Sequence, residues 1–228
     1  MSQSPQISPE HQQDITHIVD YWFTPITPDA PVAQKWFQPP DRDAVDNEIR
    51  TQFEGLIQQA RNDSLDSWTS TPMGSLALII LLDQFPRNIY RGSHLSYSSD
   101  AKAVDVAVRS ISKEFDHSPE LSELQTIFLY MPLMHAESLI HQIAGIALFE
   151  NLTARCLAST TLTDAEREEV TSFVSSSEKF AKGHRDVIMR FGRFPSRNEA
   201  SGRANTKEET VFLKENPNGY FSGGSGSG

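Results

Sequence analysis

One cysteine in 228 residues, Cys156, excludes an internal disulfide framework and a multi-cysteine zinc site. Long apolar runs are missing too. No stretch reaches the roughly 18 residues a membrane span needs, so no membrane association is expected. The opening MSQSPQISPEHQQD lacks the basic start and apolar centre of a signal peptide. These absences lead to the expectation of an intracellular, cytoplasmic protein. Positive charge is scarce: 20 Lys and Arg stand against 30 Asp and Glu, a formal −10. Phosphate backbones need a cationic face, so nucleic-acid binding is not expected. There is no Gly-rich phosphate loop and no nucleophile elbow. Strand-type alternation of useful length is also absent.

What is present reads as helix. Ser8-Pro9-Glu10 is a cap, a proline at the first position and an acid. Ile15, Ile18, Val19 and Trp22 follow at helical spacing. Residues 41–60 repeat Val45, Ile49, Phe53, Leu56 and Ile57, with Asp41 or Asp43 as cap. Residues 74–85 form a short, very apolar helix, and residues 100–115 an amphipathic one. A helix over Leu121 to Met131 is expected next, and Pro132 opens or kinks the following one, which continues to about Leu157. On that helix Ile140, Ile143, Ala144 and Ala147 form the packing side, and Glu137 and His141 lie four apart on another face. Thr163-Asp164-Ala165-Glu166 and Thr206-Lys207-Glu208-Glu209 carry capping-box spacing. The expected fold is all-α: a single-domain, tetratricopeptide-repeat-like stack of roughly eight or nine helices over residues 9–221. Residues 1–8 are expected to be disordered, and 222–228 (SGGSGSG) to be a linker-like tail.

Two polar phrases interrupt this apolar design. GSLALII runs into LLDQFPRNIYRG, where Pro86 is expected to stop the helix and leave Arg87 and Asn88 just beyond its end. RFGRFPSRNEASGR, Arg190 to Arg203, repeats the grammar: Phe-Pro, then Arg-Asn. Arginine's planar fork suits carboxylates or phosphates. One reading has each Arg-Asn pair tie its loop by bonding helix carbonyls. The other has these residues converge with His135, Glu137 and Asp83 on one cleft, walled by Phe85, Tyr90, Phe191 and Phe194.

On the second reading, Glu137 or Asp83 is the proton donor, with burial raising the Glu137 pKa, and His135 is its catalytic partner. Arg87, Asn88, Arg91, His141, Gln142, Arg190, Arg193, Arg197 and Asn198 would bind substrate and steady developing negative charge. A metal shared by Glu137, His141 and His184 lacks a recognised ligand spacing, so neither metal nor cofactor is expected. The function so read is a small-molecule enzyme using metal-free general acid–base catalysis. An isomerase or cyclase acting by proton-assisted epoxide rearrangement or opening, in specialised metabolism, is one such case. The alternative is a helical-repeat-like binding or scaffold protein with an Arg-lined groove for an acidic ligand or peptide. A small-molecule substrate is the expected partner, and a homodimer stays among the assemblies open to the chain.

LALIILLDQFPRNIYRG, together with VDYWF, KWF, MPLMHAESLIHQ, RFGRFPSRN and GRANTKEETVFL, resembles a bacterial and fungal family known as domain of unknown function number nine-two-four. The resemblance covers about residues 15 to 215 and implies a fold similar to tetratricopeptide-repeat domains, without an established activity. It carries over onto Asp83, Gln84, Arg87, Asn88, Arg91, His135, Glu137, Gln142, Arg190, Arg193, Arg197, Asn198 and Arg203. Ser196 stands where the family usually has histidine, and Ala136 and Asn205 where it usually has serine.

Overall fold

The computed structural model describes residues 7–27 and 30–216. Residues 1–6 of the expected disordered start and the tail at 222–228 lie outside them. Among the described residues every regular element is helical, as the sequence predicts. None of these helices is long and apolar enough to cross a membrane. The chain divides into two compact units, residues 1–129 and 130–228, and passes from one to the other within a helix.

Unit one begins with α1 (Pro9–Phe23). The Ser8 hydroxyl accepts the His11 N–H at 3.2 Å, and Ile15, Ile18, Val19 and Trp22 are buried. The last turn of α1 holds no basic residue. Its carbonyls are met from α2 (Val32–Phe37) instead. Lys35 Nζ donates to the Tyr21 carbonyl at 2.6 Å, and Trp36 Nε1 to the Trp22 carbonyl at 2.8 Å. α3 (Arg42–Arg61) is capped by Asp41, whose Oδ1 accepts the Ala44 N–H at 2.9 Å. An aromatic nest centres this unit: Phe53 stacks on Phe85 at 4.8 Å, and Trp22 meets Phe85 edge-on at 5.4 Å.

The apolar helix α4 (Pro72–Ile79) does not stop at Pro86. It widens into a π turn at Ile80–Gln84 and runs on as α5 (Phe85–Ile89). The Phe85 N–H reaches back five residues to the Ile80 carbonyl. This wider turn re-spaces the carbonyls behind Pro86, which has no N–H to give and whose ring would strike the carbonyl four residues back in a regular helix. Arg87 and Asn88 therefore lie inside α5, not beyond a helix end. α4 also contains a close approach. A Cβ on Gly74 would collide with the Trp68 carbonyl oxygen and crowd Thr71 Oγ1. Overpacking costs roughly 1–3 kcal/mol, and the better helix propensity of alanine returns about 1. Gly74→Ala is thus expected to destabilise by about 1 kcal/mol net, read as a lower urea midpoint.

α6 (Asp100–Ser112) completes the unit with Ala103, Val104, Val106 and Ala107 inward. α7 (Glu123–His135) carries the chain into unit two, with Pro132 inside it. The helix expected to run on from Pro132 to about Leu157 is broken here. α7 ends at His135, and α8 (Leu139–Ala158) begins after Ser138 in extended conformation. Gln142 holds the break: its Nε2 donates to the Met134 and Ala136 carbonyls at 2.7 and 2.8 Å. Those are the acceptors a continuing helix would have used. The break also changes which face of α8 is buried. Gln142, Gly145, Ile146, Phe149, Leu152 and Cys156 point inward, whereas Ile140 and Ile143, expected to pack, are 74% and 55% exposed. At Gly145 an added Cβ would lie 3.2 Å from Leu133 Cβ, so glycine permits the close approach to α7. α9 (Asp164–Phe191) packs along α8, joined to it by a short loop, and opens with the Thr163/Glu166 capping box. Gly192, at φ +68°, ends it in the left-handed conformation that glycine adopts without strain. α10 (Lys207–Glu215) opens with the Thr206/Glu209 box.

Candidate functional site

In unit two the segment from Arg190 to Glu209 folds around the break between α7 and α8. Glu137, freed from helical geometry by that break, becomes its anchor. Glu137 Oε1 accepts the Phe194 N–H at 2.8 Å and Arg203 Nη2 at 2.8 Å, and Oε2 accepts Arg203 Nη1 at 2.6 Å. Burial pushes this carboxyl up, but the Arg203 fork, the Phe194 N–H and the Arg197 charge outweigh it and hold it below the ordinary carboxylate range. The expected raised pKa is therefore reversed. Glu137 is a fixed anion at neutral pH and not a proton reservoir. His141 is not its partner. The His141 ring is half-buried, and its Nδ1 has no hydrogen bond among the described residues.

The neighbouring side chains are bound in the same way. Arg197 Nη2 donates to the His135 carbonyl at 2.9 Å, with its guanidinium 4.5 Å from the Phe194 ring centroid. Arg193 grips Glu209 through two bonds, at 2.7 and 2.9 Å, and adds the Ala204 carbonyl at 3.0 Å. Glu209 also accepts the Thr206 N–H at 2.7 Å, and the Arg193 fork is the main reason its carboxyl falls to about 2. Arg190 pairs with Glu208 at 2.7 Å. Asn198, fully buried, donates to Asn205 Oδ1 at 2.8 Å. Gln142, expected to bind substrate, is spent on the end of α7. At the edge of this corner the His135 and His184 rings lie 5.9 Å apart, with Phe194 edge-on to His184 at 5.5 Å.

Unit one contains the other phrase. Asp83 is wholly buried and lies 3.0 Å from Arg87 Nη1. The same guanidinium forks onto Asp100 at 3.0 and 2.9 Å and reaches the Asp83 carbonyl at 2.7 Å. Asp46 of α3 takes both Asn88, at 3.0 Å, and Arg91, at 3.0 and 2.7 Å.

The grammar is thus used twice because each unit clasps its own corner with Arg–carboxylate forks. His135, Glu137, Arg193, Arg197 and Asn198 come together within unit two. Asp83 with Arg87, and Asn88 with Arg91, form two clusters within unit one. Sequence reasoning missed the partners Asp46, Asp100 and Glu209. Asp46 and Asp100 lie on helices far along the chain, and Glu209 reads only as a cap residue. His184 entered only as a metal ligand. Its spacing within HRDVIMRF, one phrase before the second Arg-Asn pair, is the one signal that could have drawn attention to it. Among the described residues no three His, Cys, Asp or Glu side chains are grouped to hold a metal ion.

Together, fold and clasped corners define an all-α protein of helical hairpins with buried ionic latches. The chain belongs to the family described as bacterial protein of unknown function (DUF924), whose model matches residues 18–217. It is similar to a solved structure of a protein of unknown function, ATU0120 from Agrobacterium tumefaciens. That likeness has 33% identity and a TM-score of 0.71, and covers 90% of this chain and 98% of that one. No curated protein gives a significant match.

Proposed function

We propose that the protein is a small-molecule enzyme working by metal-free general acid–base transfer, with His135 and His184 as the proton-transfer groups. One observation carries the reading: two partly exposed imidazoles 5.9 Å apart beside the apolar edge of Phe194. Histidine is the side chain whose ordinary titration spans neutral pH, so a pair can take a proton at one ring and supply one at the other. His184 Nδ1 lies 2.8 Å from the Phe180 carbonyl, which can only accept. In the neutral ring Nδ1 therefore carries the proton and Nε2 is the basic nitrogen. Glu137 is the anion that fixes the corner, and Asp83 belongs to the stability of unit one. Isomerisation, cyclisation and proton-assisted epoxide opening need nothing more than such transfer. We take the setting to be cytoplasmic, supported by the single free cysteine, Cys156.

An Arg-lined groove for an acidic ligand has weaker support. Arg87, Arg91, Arg190, Arg193 and Arg203 each already face a carboxylate of the chain. The test is a panel of small epoxides and enolisable ketones incubated with the protein in D2O, followed by NMR for ring opening or deuterium uptake. Turnover is expected to fall by about 100-fold or more in His135→Gln and in His184→Gln, with folding retained. No turnover of the panel by the unaltered protein, or unchanged turnover in both variants, would overturn the assignment.

A further inference from the structure

Unit one contains a buried ammonium group that the latches do not use. Lys35 is only 6% exposed. Its Nζ donates to the Tyr21 carbonyl and lies 4.6 Å from the Tyr21 ring centroid, yet it forms no ion pair among the described residues. Buried lysines are ordinarily paired with an opposite charge. Beside it is a cavity of about 230 Å³, which Lys35 lines together with Asp41, Glu48 and the apolar Pro25, Ile26 and Pro40. The two carboxylates are each half-used. Asp41 Oδ1 takes the Ala44 N–H, and Glu48 Oε2 takes the Tyr21 hydroxyl at 3.2 Å. Asp41 Oδ2 and Glu48 Oε1 have no hydrogen bond among the described residues. Burial, helped by Glu48, pushes the Tyr21 hydroxyl up, so it remains a donor to that carboxylate.

The cavity thus offers one cation short of an anion, two carboxylates with an open oxygen each, and an apolar wall. Its volume is below the roughly 300 Å³ at which drug-sized sites begin. A small anion alone would answer Lys35 but face the carboxylates. A small cation would do the reverse. A molecule with both charges and a short aliphatic body meets the buried ammonium and the two exposed carboxylates at once.

We propose that this cavity binds a small zwitterion of the α-amino-acid class with an aliphatic side chain, its carboxylate on Lys35 and its ammonium on Asp41 and Glu48. The site is entirely in unit one, whereas the imidazole pair is in unit two, so either assignment can fail alone. Burial lowers the Lys35 pKa and Glu48 partly restores it. Affinity should therefore fall as pH rises, starting below the ordinary lysine range, because the bound carboxylate needs the charged form.

The test is titration calorimetry on the full chain with L-leucine, 4-methylpentanoate (no ammonium) and 3-methylbutylamine (no carboxylate). L-leucine is expected to bind at one site. Each truncated analogue should bind at least about tenfold more weakly, the loss of one charge-assisted contact. Lys35→Met should abolish binding, and Glu48→Gln should weaken it about tenfold, with melting curves confirming the fold. No heat with L-leucine, equal binding of the analogues, or wild-type affinity in folded Lys35→Met would each overturn the site. Lys35 also caps α1, so should Lys35→Met not fold, the analogue series and Glu48→Gln decide alone.

Discussion

Arg87→Met is expected to lower the unfolding free energy by about 3–5 kcal/mol, the usual cost of stripping one partner from a buried ion pair. Methionine keeps most of the aliphatic stem, so the loss is mainly electrostatic. Asp83 is wholly buried, and Asp100 would lose both arms of its fork. Arg87→Lys retains the charge but not the geometry. One ammonium cannot span Asp83 and both Asp100 oxygens, and about half the loss should remain. All three tryptophans, Trp22, Trp36 and Trp68, lie in unit one, so their fluorescence in urea follows this unit. A change below about 1 kcal/mol, the worth of an exposed pair, would mean that the guanidinium is not a latch.

The second large effect belongs to unit two. Glu209→Gln should cost about 2–3 kcal/mol at pH 7, since hydrogen bonds to charged groups are worth roughly 1.5–3 each and Glu209 is 2% exposed. The Arg193 side chain is 29% exposed, which keeps the figure from the upper end for buried pairs. The sign of the pH dependence follows from the depressed carboxyl. Its stabilisation is fully present above the ordinary value of 4.5 and is lost as pH falls towards about 2. The gap between wild type and Glu209→Gln should therefore close across that window. Hydrogen exchange of α10 amides measures it. A gap that stayed constant from pH 5 to pH 2 would show that the fork is not what holds α10 in place.

Local chemistry was readable where the signal is local. Ser8 with Pro9, Asp41, and the boxes at Thr163/Glu166 and Thr206/Glu209 cap the helices expected of them, because each cap is built within four residues. Pro86 misleads for a physical reason. The rule that proline stops a helix assumes regular α spacing behind it, and the π turn removes that assumption. The break at residues 136–138 is invisible for the opposite reason. Ala136, Glu137 and Ser138 carry no breaker, and what holds them out of helix is Gln142 further on and Arg203, sixty-six positions away. Of the site, the repeated phrase that holds Arg193, Arg197 and Asn198 was legible, whereas His135 and Glu137 lie outside it. The acidic partners of the arginines were not legible, because a carboxylate on a helix face looks the same whether it meets water or a guanidinium.

The π turn at Ile80–Gln84 has a mechanical meaning for unit one. One extra residue advances every later side chain by about a hundred degrees around the axis. The stretch from Leu76 to Leu82 is buried on every face. Beyond the turn, Asn88 and Arg91 come to bear on Asp46 of α3, and Arg87 on Asp100 of α6. A single continuous rod thus serves as spindle at one end and clasp at the other, with the phase slip between them deciding which neighbours each end engages.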